Sequence, residues 1–575
     1  MQRKKLSVVF SRLVRLLEVD SREISHIYIY AFFTGMLSLV LPLGIQSIIN
    51  FMQTGKTSTS WVMIILFVVS SIALTGILQL MQLRITENLQ QKIFTRSSFE
   101  FSYRFSKLDL NALGSQFPPE LSNRFFDTMT VQKGVPKILI DVPTSVLQII
   151  FGLILLSLYH PFFIAFSFVL VVLLILSLRF TSIKGYETSL EESKFKYKTA
   201  HWIQEIARCI PAFKMLGKND YHLRINDKYA SNYIDAREKH FGVLRMQYIH
   251  LIGFKVLIAL SLLLIGGLLV INQQMNIGQF IASEIIILLV MNSVEKLMLS
   301  LSTVYDLLTG LEKIGEIADM PLDDSEEEGI VSCWREDFNV LGFRNIQFES
   351  PYERKNLLSG LNFSITSGRH FAIAGGSELT RSTFLKLVQG IYAPSSGERT
   401  LNNVHLNNLN KDEFYQKIGT VQFDDSIFYG TMLDNIKMGR ESVTIEKVIE
   451  VCKELNLLDF INSLPDAFET YLLSDGKFIS KLNKKRILLA RAIVDQPKFV
   501  IIEDLLEFLM NNGQEEMINY LLKKDNGWTL ISTIKSQQLL PYFQDLIVVE
   551  DGVMKASGPT DDVLKIVSIN NYCHA

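Results

Sequence analysis

The sequence predicts a two-part chain: an all-α membrane domain of six helical spans, followed by an α/β domain with parallel strands. Two observations carry this. Six stretches are long and apolar enough to cross the hydrocarbon layer, which takes about 20 residues in a helix, and 48% of the residues are hydrophobic. Beyond residue 338 the composition changes to short β-rich runs, HFAIAG, KFVIIED and DLIVVEDG, alternating with helical stretches.

The chain has 575 residues, enough for two or more domains. Its net charge of -2 gives no reason to expect nucleic acid as a partner. Cys209, Cys333, Cys452 and Cys573 are scattered, with no C-x-x-C pair. They fit reduced thiols facing the cytosol rather than a disulfide framework or a zinc site. Residues 1–20 begin basic, but Arg12 and Arg15 interrupt the apolar run and no small-residue cleavage site follows. An amphipathic helix lying along the inner membrane surface is expected there.

The six spans are 25–50, 61–83, 137–158, 161–179, 249–272 and 278–300, within a membrane domain of 21–318. The gaps after spans one, three and five are short and nearly free of Lys and Arg. Those after spans two and four run to about 50 and 70 residues and carry Lys92, Arg96, Arg104, Lys107, Lys184, Lys194 and Lys198 among others. Excess Lys and Arg marks the cytoplasmic side, so both termini and both long gaps are expected there. The long gaps keep apolar residues at three- and four-residue spacing and lack strand-and-turn punctuation. Spans two to five should therefore continue as helices into the cytosol and turn back at bends, one near Leu113–Pro119. Within the spans, Lys255 and Glu284 lie at different depths and are not expected to pair. An ionisable residue in a span usually faces the bundle interior or a cavity, which makes Glu284 a candidate for the translocation path. Asp141 and Pro143 mark the cytosolic end of span three. An acidic linker, 319–338, leads to the second domain, 339–575.

In that domain GGSELTRST, residues 375–383, follows the apolar run FAIA and precedes TFLKLVQGIY. A phosphate-binding loop reads G-x-x-x-x-G-K-[ST]. Gly375 and Ser382 fit; Thr380 and Arg381 stand where glycine and lysine belong. Such a loop wraps phosphate oxygens in backbone N–H groups and needs glycine for close approach. Thr380 adds a β-branched side chain, Glu378 sets a carboxylate beside the polyanion, and the planar fork of Arg381 is not equivalent to an ammonium.

Six spans with two long cytosolic loops and then a domain of about 230 residues resemble an ABC exporter half-transporter, over almost the entire chain. The landmarks fall in family order: NIQFES, LLSGLNFSITSG, GGSELTRST, SSGERTLNN, IFYGTMLDNIKMG, RILLARAIVDQPKFVIIED and VVEDGVMKASGPTDDVL. The fifth is the most specific, matching F-x-G-T-x-x-x-N-I. The resemblance implies an α/β P-loop NTPase-like nucleotide-binding domain with ATP and Mg as cofactors. It also implies roles that the residues here alter. Gly375, Thr380, Arg381, Ser382 and Thr383 occupy the P-loop, and Ser382 keeps a hydroxyl for Mg. The Walker B pair is reversed: Glu503 at the Mg position, Asp504 at the catalytic glutamate position. A base moved by about an ångström can cost on the order of a hundredfold in rate. LSGGQ becomes Ile479-Ser480-Lys481-Leu482-Asn483, keeping only its serine. Phe423 holds the Q-loop position, with Gln422 one residue early. Ile534 replaces the switch histidine. Ser350 stands where an aromatic stacks adenine, with Tyr352 close enough to substitute. Thr470 and Gly476 survive before the signature, but Ser474 replaces a glutamate. An ABC-type ATPase fold is thus expected with every catalytic motif altered, compatible with weak nucleotide binding and not with fast phosphoryl transfer.

Six spans are half the family complement, so the resemblance implies a second half-transporter, identical or an active homologue. The expected function is a dimeric inner-membrane exporter with a weak or inactive nucleotide-binding domain. The alternative is a regulatory or assembly subunit that uses the fold and moves nothing. NIGQFIASEIIILLVMNSVEKL, with its G-Q-x-x-A step, resembles exporters of the type I protein-secretion branch. That implies a polypeptide substrate, a periplasmic adaptor and an outer-membrane channel. No peptidase domain precedes span one, so leader cleavage is not expected.

Overall fold

The structure is a computed structural model that describes residues 2–53, 59–114, 116–323, 332–336, 338–350, 355–422 and 425–573. Tyr352, Phe423 and most of the acidic run in 319–338 lie outside the described residues. The chain divides into two compact units, one of residues 1–106 with 117–320, the other of 107–116 with 321–575.

The first unit is helical. Among the described residues six helices are long and apolar enough to span a membrane: Ser21–Gln53, Thr59–Lys107, Pro118–Ser157, Phe162–Arg208, Tyr221–Ile271 and Ile277–Ala318. Large apolar side chains stand exposed along them, Phe67 at 63%, Leu80 at 67% and Phe168 at 71%, which is tolerable where the solvent is lipid. Each helix holds one expected span to within a residue, and the second, fourth and fifth, at 49, 47 and 51 residues, run far past theirs. The first is two segments, Ser21–Leu37 and Val40–Gln53. Pro42 explains the break, since it has no N–H to give the carbonyl four residues back. The fifth carries a π-helical turn at Leu262–Gly266, which the apolar pattern does not reveal. Helix contacts close at small residues: a Cβ on Gly185 would lie 2.4 Å from the Tyr305 ring. After Thr59–Lys107 the chain passes through the short helices Leu110–Leu113 and Pro118–Ser122, with Gly114 at φ +53°.

The N-terminal helix Gln2–Glu18 buries Val9 completely, and Arg12 donates to Glu312 at 3.2 Å. Lys255 pairs with Glu295 at 2.6 Å rather than with Glu284. Lys296 pairs with Asp141 at 2.9 Å. Glu295 was not singled out by its sequence, because it sits at the polar end of an apolar run.

The described residues of the second unit form twelve strands: β1 (Val340–Glu349), β2 (Asn356–Thr366), β3 (Phe371–Ala374), β4 (Ser396–Leu401), β5 (Val404–His405), β6 (Ile418–Val421), β7 (Gly430–Thr431), β8 (Tyr471–Leu472), β9 (Phe499–Ile502), β10 (Thr529–Thr533), β11 (Asp545–Glu550) and β12 (Val553–Pro559). An antiparallel sheet runs β2-β1-β4-β5, and the main sheet β12-β11-β3-β10-β9-β6. In the main sheet only β12 is antiparallel. Its central strands are covered on both faces and so read as continuous apolar runs. Ala372, Ala374, Val500, Ile502 and Leu530 feed one core, while Phe371, Ile373, Phe499, Ile501 and Ile531 feed the other. All four cysteines are free.

Candidate nucleotide site

Strands β9, β10 and β3 are neighbours and parallel, so their C-terminal ends bring Glu503-Asp504, Ile534-Lys535 and the 375–383 loop together. Ligands of open parallel sheets bind at such an edge. Gly375 follows β3 at φ +80°, and a Cβ there would lie 2.3 Å from the carbonyl oxygen of Val549. That position requires glycine. Gly376 is also left-handed, at φ +67°. Ser377 then caps the helix Glu378–Val388: its Oγ accepts from the Thr380 N–H at 3.1 Å and lies 2.8 Å from the Thr380 hydroxyl. A backbone donor that a working loop aims at phosphate is therefore held by the chain itself.

Arg381 completes the closure. Its side chain is buried and donates to the Gly376 carbonyl at 2.8 Å and, more weakly, to that of Gly375 at 3.4 Å. Its Nη2 faces Asp504 Oδ2 at 3.6 Å, while its Nε is buried without a partner among the described residues. Asp504 is held from three further directions. Its N–H donates to the Thr533 hydroxyl at 2.7 Å, that hydroxyl donates to Oδ1 at 2.8 Å, and Lys535 Nζ pairs with Oδ2. Asp504 itself is left-handed, at φ +48°, a conformation aspartate tolerates by bonding locally. The Glu507 carboxylate accepts from the Lys535 N–H at 2.5 Å and the Ser536 N–H at 3.4 Å. Ile534 is fully buried and takes part only through its backbone, its N–H donating to the Ile373 carbonyl at 2.9 Å. Glu503 is buried, with its N–H on the Val421 carbonyl at 2.9 Å. Thr383 is buried and Ser382 half-buried.

Residues 375–383 and 503–504 thus come together. Tyr352 and Phe423 are not among the described residues, while Gln422 turns its side chain to Gln389. Ser480 is spent as the cap of the helix Lys481–Ile493, accepting from the Asn483 N–H at 3.2 Å. Glu284 is half-buried on Ile277–Ala318. Ser377, Thr533, Lys535 and Glu507 were missed by sequence reasoning. Lys535 follows the switch position directly in LISTIKS and could have been found there.

The motif that survives best is structural. Asn435 of F-x-G-T-x-x-x-N-I is fully buried, and its amide donates to the carbonyls of Phe428 and Thr431 at 3.0 and 3.1 Å. Its side-chain oxygen accepts from the Phe428 N–H at 3.1 Å and from Arg491 at 2.9 Å. A buried amide with every hydrogen bond made is costly to replace.

Two family profiles match this sequence: that of the ABC transporter transmembrane region over residues 25–294, and that of the ABC transporter over residues 358–505. The chain belongs to the ABC transporter family. In this sequence one membrane domain is fused to one nucleotide-binding domain, the arrangement of the ABC exporter fold, and its apolar helices make it a multi-pass membrane protein. The solved structure described as "Structure of a bacterial Atm1-family ABC exporter with ATP bound" matches with a TM-score of 0.83 at 17% identity, over 95% of this chain and 96% of that one. That likeness is of fold. Among curated relatives, "ABC-type transporter MDR1" of Aureobasidium melanogenum is 30% identical over 39% of this chain and 18% of its own length. "Uncharacterized ABC transporter ATP-binding protein y4gM" of Sinorhizobium fredii is 25% identical over 63% of this chain and 61% of its own length. This ABC transporter chain thus matches only about a fifth of the length of the first of these relatives.

Family membership implies ATP as the ligand of the second unit, usually with Mg. The residues present do not fit that group as arranged. The Thr380 N–H is capped by Ser377, the Arg381 guanidinium is turned onto the loop's own carbonyls, and Asp504 is committed to Arg381, Lys535 and Thr533.

Proposed function

We propose that this chain is the non-hydrolysing half of a dimeric exporter of the inner membrane. Its nucleotide-binding domain serves as scaffold and coupling element, and an intact homologous half supplies ATP turnover. The observation that carries this reading is the pairing of Arg381 with Asp504 across a loop closed by Ser377. The P-loop's positive charge neutralises a carboxylate of its own chain instead of a phosphate. ATP and Mg are accordingly held weakly or not at all, and Ser382 and Glu503 are poor Mg ligands. Family sites are shared, each combining one chain's P-loop with the other's signature. Paired with an intact partner, this chain would leave one site with a sound P-loop facing Ile479–Asn483. The exported substrate class is a polypeptide, on the G-Q-x-x-A resemblance of residues 278–282, which brings a periplasmic adaptor and an outer-membrane channel as further partners.

Purification of the tagged chain from native membranes tests this. A homologous half-transporter should co-purify, and the complex should hydrolyse ATP while the isolated chain does not. A non-homologous partner without turnover would instead support the regulatory or assembly subunit.

A further inference from the structure

A groove on the membrane unit has the chemistry of a lipid site. It is formed by Phe162–Arg208, Tyr221–Ser261 and Ile277–Ala318. One cavity of 440 Å³ has walls that include Leu173, Phe180 and Leu257. A second, of 260 Å³, continues from it, sharing Leu251 and Met298, and reaches Arg245 and Tyr248. Both volumes lie near the lower end of ordinary ligand pockets, about 300 Å³.

Polarity changes along the groove in one direction. Leu251 and Met298 are buried in its floor, while the outer wall exposes Phe180 at 75% and Ile249 at 59%. At the mouth stand Arg245, exposed and without an ion-pair partner among the described residues, and Tyr248. His250 Nδ1 and the Ser177 hydroxyl lie 3.0 Å apart just inside. Gly253 leaves its side of the cavity open, with nothing within 4 Å of a Cβ built there. Arg245 to Leu257 is twelve residues, about 18 Å of helix, close to half of the roughly 30 Å hydrocarbon layer. The groove therefore has the depth of one leaflet, with Arg245 and the aromatic ring of Tyr248 at headgroup level.

We propose that this groove holds one anionic phospholipid, its acyl chain along Leu173–Phe180 and Ile249–Leu257 and its phosphate on Arg245. Charge complementarity selects the occupant: a neutral lipid leaves Arg245 unpaired, whereas an anionic headgroup at an interface gains about fivefold in binding per basic residue. The lipid is a resident ligand, and the assignment is independent of what is exported.

The full-length chain in detergent, equilibrated with dioleoylphosphatidylglycerol or dioleoylphosphatidylcholine and read by native mass spectrometry, tests it. Phosphatidylglycerol should be retained over phosphatidylcholine. Arg245→Ala should lower its retention about fivefold without changing phosphatidylcholine, and Arg245→Lys should keep most of it. Gly253→Trp, and separately Leu257→Trp, should lower both lipids by filling the groove. Inorganic phosphate should not compete. Equal retention of the two lipids, indifference to Arg245→Ala, or displacement by phosphate would overturn the proposal. So would tryptophan variants that keep the lipid but lose self-association, which would assign the groove to a second copy of the chain.

Discussion

Arg381 and Asp504 face each other at 3.6 Å, both largely buried, one from the P-loop position and the other from the Walker B position. In a hydrolysing domain these two positions address a nucleotide between them. Here they address each other, and Lys535 adds a second cation to the same carboxylate.

The pair should behave as a buried ion pair. Asp504→Ala leaves Arg381 and Lys535 without their anion, a change that costs about 3 kcal/mol and lowers the unfolding temperature of a domain this size by roughly 6–12 °C. Exposure of the buried Cys452 to a thiol-reactive dye during heating reads this directly. Arg381→Met added to Asp504→Ala should recover part of the loss. Additive losses would mean that the two side chains are energetically independent.

Gly375→Ala should destabilise strongly, since φ is +80° and the new Cβ would meet the Val549 carbonyl at 2.3 Å. Strain and overlap together cost about 3 kcal/mol. Gly513→Ala, at φ +66° with open space around it, carries only the backbone cost of about 1 kcal/mol. Similar thermal shifts for the two would show that the close approach at Gly375 is not rigid.

His370 is buried, its Nδ1 accepting from the Leu530 N–H at 3.0 Å and its Nε2 lying 3.1 Å from the Leu522 carbonyl. Burial holds its pKa below the usual 6.5. The unfolded chain therefore binds a proton first as pH falls, so the histidine's contribution is intact above pH 6.5 and is lost as pH drops toward the folded value. Thermal stability between pH 7.5 and 5.5 should decline in the parent more steeply than in His370→Gln. Parallel profiles would remove His370 as a cause.

Much of this was legible before the structure. Span length and apolar composition located six helices among the described residues, because crossing hydrocarbon constrains every residue of a span at once. The order of landmarks located the strands for a similar reason: runs such as FAIA and FVII are buried on both faces and tolerate little else. The site was legible only as loss. That Thr380 and Arg381 break a pattern is visible in the chain, but their partners are not, since Ser377, Thr533 and Lys535 become relevant only once β3, β9 and β10 lie side by side. The break near Pro42 and the π turn at Leu262–Gly266 leave the apolar composition unchanged, which is why hydropathy passed over them.

Membrane orientation has its own test. Residues 107–116 belong to the same compact unit as 321–575, so Asn111 should share a side with the nucleotide-binding domain. Thr54 precedes the single crossing made by Thr59–Lys107 and should lie on the other side. An enzymatic reporter fused at Asn111 should read as cytoplasmic and one at Thr54 as external; the reverse pattern would overturn the topology.

The most direct test of the central claim is ATP turnover by the purified, unmodified chain. It should not exceed that of a mock preparation. Thr380→Gly with Arg381→Lys should raise nucleotide binding without restoring turnover, because Asp504 and Ile534 remain unsuited to it. Robust vanadate-sensitive hydrolysis by the unmodified chain, abolished by Ser382→Ala, would contradict the account.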